Sequence, residues 1–238
     1  MNFYANVMMV GDDFLVRGYE NGRRVQYREK FQPTLFVKSN KESKWKTLEG
    51  DNVEPIQPGG VRDCRDFFKK YDGVDGFQIY GNDRYIYQYI SEKYPQDEIK
   101  WDISKIKLVT IDIEVKSEEG FPSPDSCSEE MLTISIQDYN TKHITTWGRK
   151  PYTPTQKNVT YHYHEEEVDM LRAFIDWWHL DPPEVITGWN CRLYDIPYMC
   201  GRIDRIMGTK AMKQLSPWNM VNHNEIYCLL YTSPSPRD

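Results

Sequence analysis

Two stretches of this 238-residue chain carry carboxylates in settings that could do chemistry. The first is Leu108-Val-Thr-Ile-Asp-Ile-Glu-Val115. Side chains alternate along a strand, so Val109, Ile111, Ile113 and Val115 share one face, and Thr110, Asp112 and Glu114 share the other. Asp112 and Glu114 then stand roughly 7 Å apart at their Cα atoms, on a strand whose opposite face is wholly apolar. Desolvating two like charges together is costly. A divalent cation relieves that cost: Mg²⁺ or Mn²⁺ prefers oxygen ligands, and two ions about 3.5–4 Å apart can be bridged by carboxylates from neighbouring elements. The same spacing also suits an antiparallel strand with a plain polar outer face.

The second stretch is Val185-Ile-Thr-Gly-Trp-Asn-Cys-Arg-Leu-Tyr-Asp-Ile-Pro-Tyr198, where a short strand turns through Gly188 and delivers Asp195 to the start of a helix. A third carboxylate for the same site is one reading. An N-cap is the other, since Asp accepts hydrogen bonds from the first free backbone N–H groups of a helix and Pro197 suits a first turn.

The elements that must position these residues follow from hydrophobic period and turn chemistry. A block opens near Ile106: Leu108–Val115 is a strand, 132–136 and 144–147 form a hairpin closed around Asn140, and a Pro- and Thr-rich stretch, 151–160, connects onward. Residues 165–178 have helical spacing, with Val168, Leu171, Phe174, Ile175 and Trp178 on one side and acidic residues crowding the first turn, where they suit the helix dipole. Pro182 and Pro183 end that helix; Val185–Thr187 is a strand and Asp195–Met207 a helix. This order predicts an α/β layer arrangement with a mixed sheet.

Upstream, 11–31 reads as a hairpin, with Phe14 and Val16 before and Val25 and Tyr27 after an Asn21-Gly22 turn that tolerates positive φ. A strand at 34–37 and helices at Val61–Tyr71 and 86–94 complete a small α+β unit. Its Arg23, Arg24, Arg28, Lys30, Lys38, Lys41, Lys44 and Lys46, interleaved with Tyr27, Phe31, Phe36 and Trp45, could form a nucleic-acid surface. A solvated face of an ordinary domain is the plainer reading.

Composition bounds the function. Apolar residues make up 39% and aromatics 14%, which is ample for a core and argues against disorder. With 36 acidic against 30 basic residues the net charge is -6, so the global basic signature of a nucleic-acid binder is missing. An enzyme that holds nucleic acid through metal ions is still compatible, because it needs carboxylates where it works. Cys64, Cys127, Cys191, Cys200 and Cys228 contain no C-x-x-C pair, and neither a signal sequence nor about 18 uninterrupted apolar residues is seen. A reducing, cytosolic setting with no membrane span is expected, leaving the Asn158-Val159-Thr160 sequon idle.

Asp112-Ile-Glu114 resembles the first motif, D-x-E, of DnaQ-like proofreading nucleases, and Asn190-Cys-Arg-Leu-Tyr194-Asp195 resembles the second, N-x-x-x-[FY]-D. Around them, Gln32-Pro-Thr-Leu-Phe-Val37, Glu119-Gly-Phe-Pro122, Thr187-Gly-Trp-Asn190 and Leu215-Ser-Pro217 are similar to stretches of the family B polymerases of T-even-type tailed phages and their marine relatives. The resemblance covers most of residues 1–227 and is weakest over 39–100. Either motif alone would be a weak signal; the ordered pair with its flanks is specific.

The resemblance implies a family B N-terminal domain over 1–105, then a truncated ribonuclease-H-like (DnaQ-like) 3′-to-5′ exonuclease domain with a mixed sheet over 106–227. The parent would be a replicative DNA-directed DNA polymerase that proofreads. By motif match, Asp112, Glu114 and Asp195 are expected as catalytic residues and as ligands of two divalent cations, Mg or Mn. Asn190 is expected to contact the strand being degraded. Phe121 is expected to pack on an unpaired terminal base, with a plain loop anchor as the alternative. The implied partners are the single-stranded 3′ end of primer DNA and, for the full-length parent, the phage sliding clamp and replication proteins in the cytoplasm of an infected bacterium. RNA binding by the N-terminal domain stays open, because no residue of 1–105 carries it over.

One departure is plain. The family's third motif, Y-x-x-x-D, does not follow Asp195: Tyr198 and Tyr227 are followed four residues later by Arg202 and Tyr231. Residues 228–238, with Ser-Pro-Ser-Pro, read as a translated sequencing adapter, so the natural chain is expected to continue differently beyond Tyr227. The chain as given is therefore expected to show little nuclease and no polymerase activity. The competing readings are a free-standing DnaQ-like exonuclease and an RNA- or single-strand-binding module with structural carboxylates. Among lesser signals, His162 and His164 read as an exposed strand before metal ligands, Trp177-Trp178 as core packing, and Cys191 as an inert thiol.

Overall fold

A computed structural model describes residues 2–81, 83–95, 99–118 and 120–222. The adapter-like tail, Cys228 and Tyr227 lie outside the described residues. The chain divides into two compact units, Met1–Ile106 and Lys107–Asp238.

In the first unit β1 (Phe3–Val10), β2 (Asp13–Glu20) and β3 (Arg23–Lys30) form an antiparallel sheet in that order. Asn21 and Gly22 sit at φ of 51° and 77°, the left-handed pair whose twist matches a two-residue hairpin. A second sheet runs β5-β6-β4-β7, from β4 (Leu35–Lys38), β5 (Trp45–Lys46), β6 (Asn52–Ile56) and β7 (Ile79–Tyr80). Helices α1 (Val61–Tyr71) and α2 (Tyr85–Lys93) bring Val61, Cys64, Tyr85 and Tyr89 into one cluster with Phe14, Val16 and Leu35. The N-cap of α1 is Gly60, which has no side chain to offer its free N–H groups. Two carboxylates serve instead: Asp63, in the helix's own first turn, accepts from Gly60 N–H at 2.8 Å, and Asp12, from before β2, accepts from Arg62 N–H at 2.9 Å. Strands β1 and β5–β7 escape a reading by period. β1 has both faces half covered, and β5 and β7 have two residues each.

The second unit is built on a five-stranded mixed sheet in the order β11-β10-β9-β8-β12. In it β8 (Leu108–Val115) lies between β12 and β9 (Met131–Asp138); it is antiparallel to β9, which is antiparallel to β10 (Ile144–Gly148). β11 (Val159–Tyr163) runs parallel to β10, and β12 (Val185–Thr187) parallel to β8. Strand β11 begins inside the expected 151–160 connector. The register Ile111↔Ile136 and Ile113↔Ile134↔Trp147 lays the apolar residues of three strands on one face. That face packs with α3 (Glu167–Leu180) and α4 (Asp195–Met207) through Phe174, Trp178, Tyr198, Met199 and Ile203. A short α5 (Thr209–Lys213) follows Gly208, whose φ is +83°.

Two details of α3 differ from expectation. Val168 is 36% exposed, and the buried face instead takes Met170 and Glu167. Glu167, read from its position as a partner of the helix dipole, is a buried acid with its own cation, described below.

Candidate active site

Strand β8 keeps the alternation read from its sequence. Val109, Ile111 and Ile113 are buried, while Thr110, Asp112 and Glu114 are exposed. Across the ladder Asp112 faces Ser135 and Glu114 faces Thr133, so the carboxylates share their surface with hydroxyl groups. The apolar face explains why the pair is held: the strand cannot slip by one residue without turning both carboxylates into the core.

Asp195 reaches the same strand from the other edge. β12 pairs with β8 only from Val185↔Leu108 to Thr187↔Thr110 and then stops. Gly188 turns the chain so close to β8 that a Cβ there would lie 2.5 Å from the Ile111 carbonyl oxygen. Asn190 follows in the left-handed region, at φ 55°, and its carbonyl accepts the N–H groups of Leu193 and Tyr194 at 2.9 and 3.0 Å. The turn thereby delivers Asp195 as the first residue of α4, after an N-cap at Tyr194 that makes no side-chain cap bond. The Asp195 Oδ1 accepts the Ile113 N–H at 3.1 Å, a bond that β12 is too short to make. The N-cap reading of Asp195 therefore gives way. Its carboxylate ties α4 to the carboxylate-bearing strand rather than closing its own helix end.

Asp195 is only 4% exposed. Burial pushes its carboxyl above the usual carboxylate range, the Ile113 N–H and its own N–H pull the other way, and the Asp112 charge adds to the rise. Burial also raises Tyr194, helped by the charges of Asp195 and Glu114. Among the described residues no three His, Cys, Asp or Glu side chains are gathered closely enough to hold a metal ion. The chemistry of the set still fits a hard divalent cation. Its donors are carboxylate oxygens, and the repulsion Asp112 exerts on Asp195 is one that a bound cation would reverse.

Phe121 is 80% exposed, and its ring sits 4.8 Å from that of Tyr194, tilted by 44°. It thus stands beside the residue that precedes Asp195, with its outer surface open. Asn190 is exposed on the same turn, as are Trp189 and Leu193 at 92% and 68%. His162 stacks on Trp147 at 5.6 Å, and Trp178 is buried, in keeping with structural roles for both.

Three residues central to this geometry carry no motif signal. Arg202, on α4, grips Glu167 of α3 with Nε at 2.9 Å and Nη2 at 2.7 Å, and its Nη1 donates to the Cys127 and Ser128 carbonyls. Glu167 also accepts the Met131 N–H at 2.8 Å. The Tyr198 hydroxyl, pushed up to about 12 mainly by burial, donates to the Glu129 carbonyl at 2.8 Å. These bonds lock α4 to the segment entering β9, and so hold Asp195 against β8. Arg202 occupies the place four residues after Tyr198 where a third-motif acid was sought; a charge at helical spacing from the buried face is its only trace in the sequence.

Residues 80–227 match the family described as DNA polymerase family B, exonuclease domain. The chain is 27% identical over 262 residues to the DNA-directed DNA polymerase of Enterobacteria phage T4, covering 95% of this chain and 29% of that protein. It is 26% identical over 243 residues to that of Escherichia phage RB69, covering 90% and 27%. The DNA polymerase catalytic subunit of Human herpesvirus 6A is 25% identical over 127 residues, 50% of this chain and 12% of that one. The chain spans less than a third of the length of these curated relatives. The family B DNA polymerase from the hyperthermophilic archaeon Pyrobaculum calidifontis shares the fold, with a TM-score of 0.56 at 17% identity over 87% of this chain and 33% of that one. Relatives that are polymerases throughout disfavour a free-standing exonuclease.

Proposed function

Because the chain belongs to the exonuclease-domain family of the family B DNA polymerases, we propose that its second unit is the 3′-to-5′ proofreading site of a phage replicative polymerase. Asp112, Glu114 and Asp195 are its catalytic carboxylates and hold two divalent cations, Mg or Mn. The observation that carries this reading is the Asp195 carboxylate, buried on the Ile113 N–H and within electrostatic reach of Asp112. When bound, the cations activate water against the terminal phosphodiester and stabilise charge on the leaving 3′ oxygen.

The chain's own residues do the rest. Asp112 and Glu114 present oxygens on the open face of β8, while Asp195 is held rigidly by its backbone bond. Phe121, backed by Tyr194, offers an open ring on which an unpaired terminal base can stack whatever its identity. Asn190 stands on the turn beside them, where its amide can contact the strand. Residues 1–105 serve as the polymerase N-terminal domain and 106–227 as the exonuclease domain. The parent copies DNA in an infected bacterium alongside a sliding clamp and replication proteins.

Calorimetric titration with Mn²⁺, paired with anisotropy of a labelled single-stranded oligonucleotide, tests the reading. We expect cation binding and cation-dependent oligonucleotide affinity, both weakened on the order of tenfold or more by Asp112→Ala or Asp195→Ala. Wild-type Mn²⁺ affinity in both variants would sink it.

A further inference from the structure

We propose that an open cavity between the end of α3 and α5 is a binding site for phosphate groups, apart from the carboxylate site. The cavity has a volume of about 480 Å³ and is lined by His179, Lys210, Lys213, Gln214 and Asn219. Each of these side chains can donate hydrogen bonds, and two carry a permanent positive charge. Among the described residues no carboxylate lines the cavity. In a chain with more acidic than basic residues, that is a marked local reversal of sign.

The walls are fastened. Trp178 Nε1 donates to the Leu215 carbonyl at 2.8 Å, and His179 Nδ1 lies 3.4 Å from the Gln214 carbonyl, which pins the chain leaving α5 against the end of α3. Lys210 and Lys213 are three residues apart on α5 and so share a side of it. The carbonyls at the end of α5 are already occupied: Ala211, Met212 and Lys213 accept from Gln214, Leu215 and Ser216 at 3.0, 3.1 and 3.1 Å. Among the described residues, no acid pairs with Lys210 or Lys213. Two ammonium groups without an acid partner, an imidazole and two amides around one volume suit a tetrahedral oxyanion, which accepts from several directions at once. The volume lies within the roughly 300–1,000 Å³ of small-ligand sites, so the phosphate can carry a nucleoside.

The site stands at the opposite end of α4 from Asp195, about 18 Å along that helix at 1.5 Å per residue. The same chemistry serves a free phosphate or nucleotide and a phosphodiester of a DNA strand. It needs no metal, so its test is separable from that of the carboxylate site.

The intact chain is titrated in EDTA at low salt with inorganic phosphate, thymidine monophosphate and an oligothymidylate. The comparison is Lys210→Glu/Lys213→Glu, both exposed positions, with circular dichroism as the fold control. We expect saturable binding of at least one ligand, weakened about tenfold or more in the double variant. Binding of phosphate or the mononucleotide assigns a free-ligand site. Binding of the oligonucleotide alone, with a salt slope that the double variant lowers by about 1 per lysine, assigns a backbone contact. No saturable binding of any of the three, or equal affinity in the folded double variant, overturns the proposal.

Discussion

At Asp195 the Ile113 N–H favours ionisation, while burial and the Asp112 charge oppose it, and burial is the larger effect. A folded-state value above the unfolded one means that this group's contribution to stability is full below the unfolded pKa of about 3.9 and is lost as pH rises through the folded value. Near neutral pH without cations, the ionised Asp195 therefore weakens the fold. Asp195→Asn keeps an oxygen for Ile113 and removes the charge, so in EDTA its Tm should exceed that of the wild type, by about 2–4 °C for each kcal/mol relieved. The gap should narrow as pH falls toward about 4. With Mn²⁺ the order should reverse, because a cation at a hundredfold excess over its Kd stabilises the form that binds it by about 2.7 kcal/mol. A variant less stable in EDTA would refute this balance. Asn190 poses a different question, since its φ of 55° alone gives a reason for Asn. Asn190→Gly retains the turn and deletes the amide, whereas Asn190→Ala also strains the backbone by roughly 1–2 kcal/mol. If the amide touches DNA, oligonucleotide affinity should fall in both variants and thermal stability only in the second; unchanged affinity in Asn190→Gly assigns the residue to the turn.

Between elements, α3 and α4 are coupled by the buried Arg202–Glu167 pair, with side chains 11% and 7% exposed. Arg202→Met leaves Glu167 buried without its cation and should cost about 3–5 kcal/mol in urea unfolding. Adding Glu167→Gln removes the stranded charge while keeping an acceptor for Met131, and should recover about half of the loss; no recovery would mean that the pair acts through packing alone. This coupling was not legible in the sequence, because it joins residues 35 apart and charge type does not name its partner. The elements it joins were legible. β8 alternates strictly, α4 lies between the turn that opens at Gly188 and its C-cap Gly208, and Asn21-Gly22 announces its hairpin. By contrast β11 hides at the end of a Pro- and Thr-rich run, and α5 is a single short turn with no period to read. The site divides in the same way. Spacing and motif placed Asp112, Glu114 and Asp195 on the right elements, but the Asp195–Ile113 bond depends on where β12 stops pairing, which is a property of the sheet.

For the molecule as a whole, a net charge of -6 opposes any diffuse attraction to DNA, so affinity must come from local sites. Oligonucleotide binding with Mn²⁺ should then lose only a few counterions, at about 0.7 per phosphate neutralised on a single strand, giving a shallow salt slope. A steep slope would instead point to the basic, aromatic-interleaved surface of the first unit, where Arg23, Arg24, Arg28 and Lys30 are exposed on β3. Binding and turnover should also part company. The carboxylates contributed by β8 and α4 are proposed to recruit a cation, yet no Tyr-x-x-x-Asp follows Asp195 within these 238 residues. Hydrolysis of 3′-labelled single-stranded DNA by these 238 residues with Mg²⁺ or Mn²⁺ should therefore stay close to background even where cation and DNA both bind. Metal-dependent shortening of the labelled strand that Asp112→Ala abolishes would overturn this, and would mean that three carboxylates on β8 and α4 suffice for chemistry that the motif pattern assigns to a larger set.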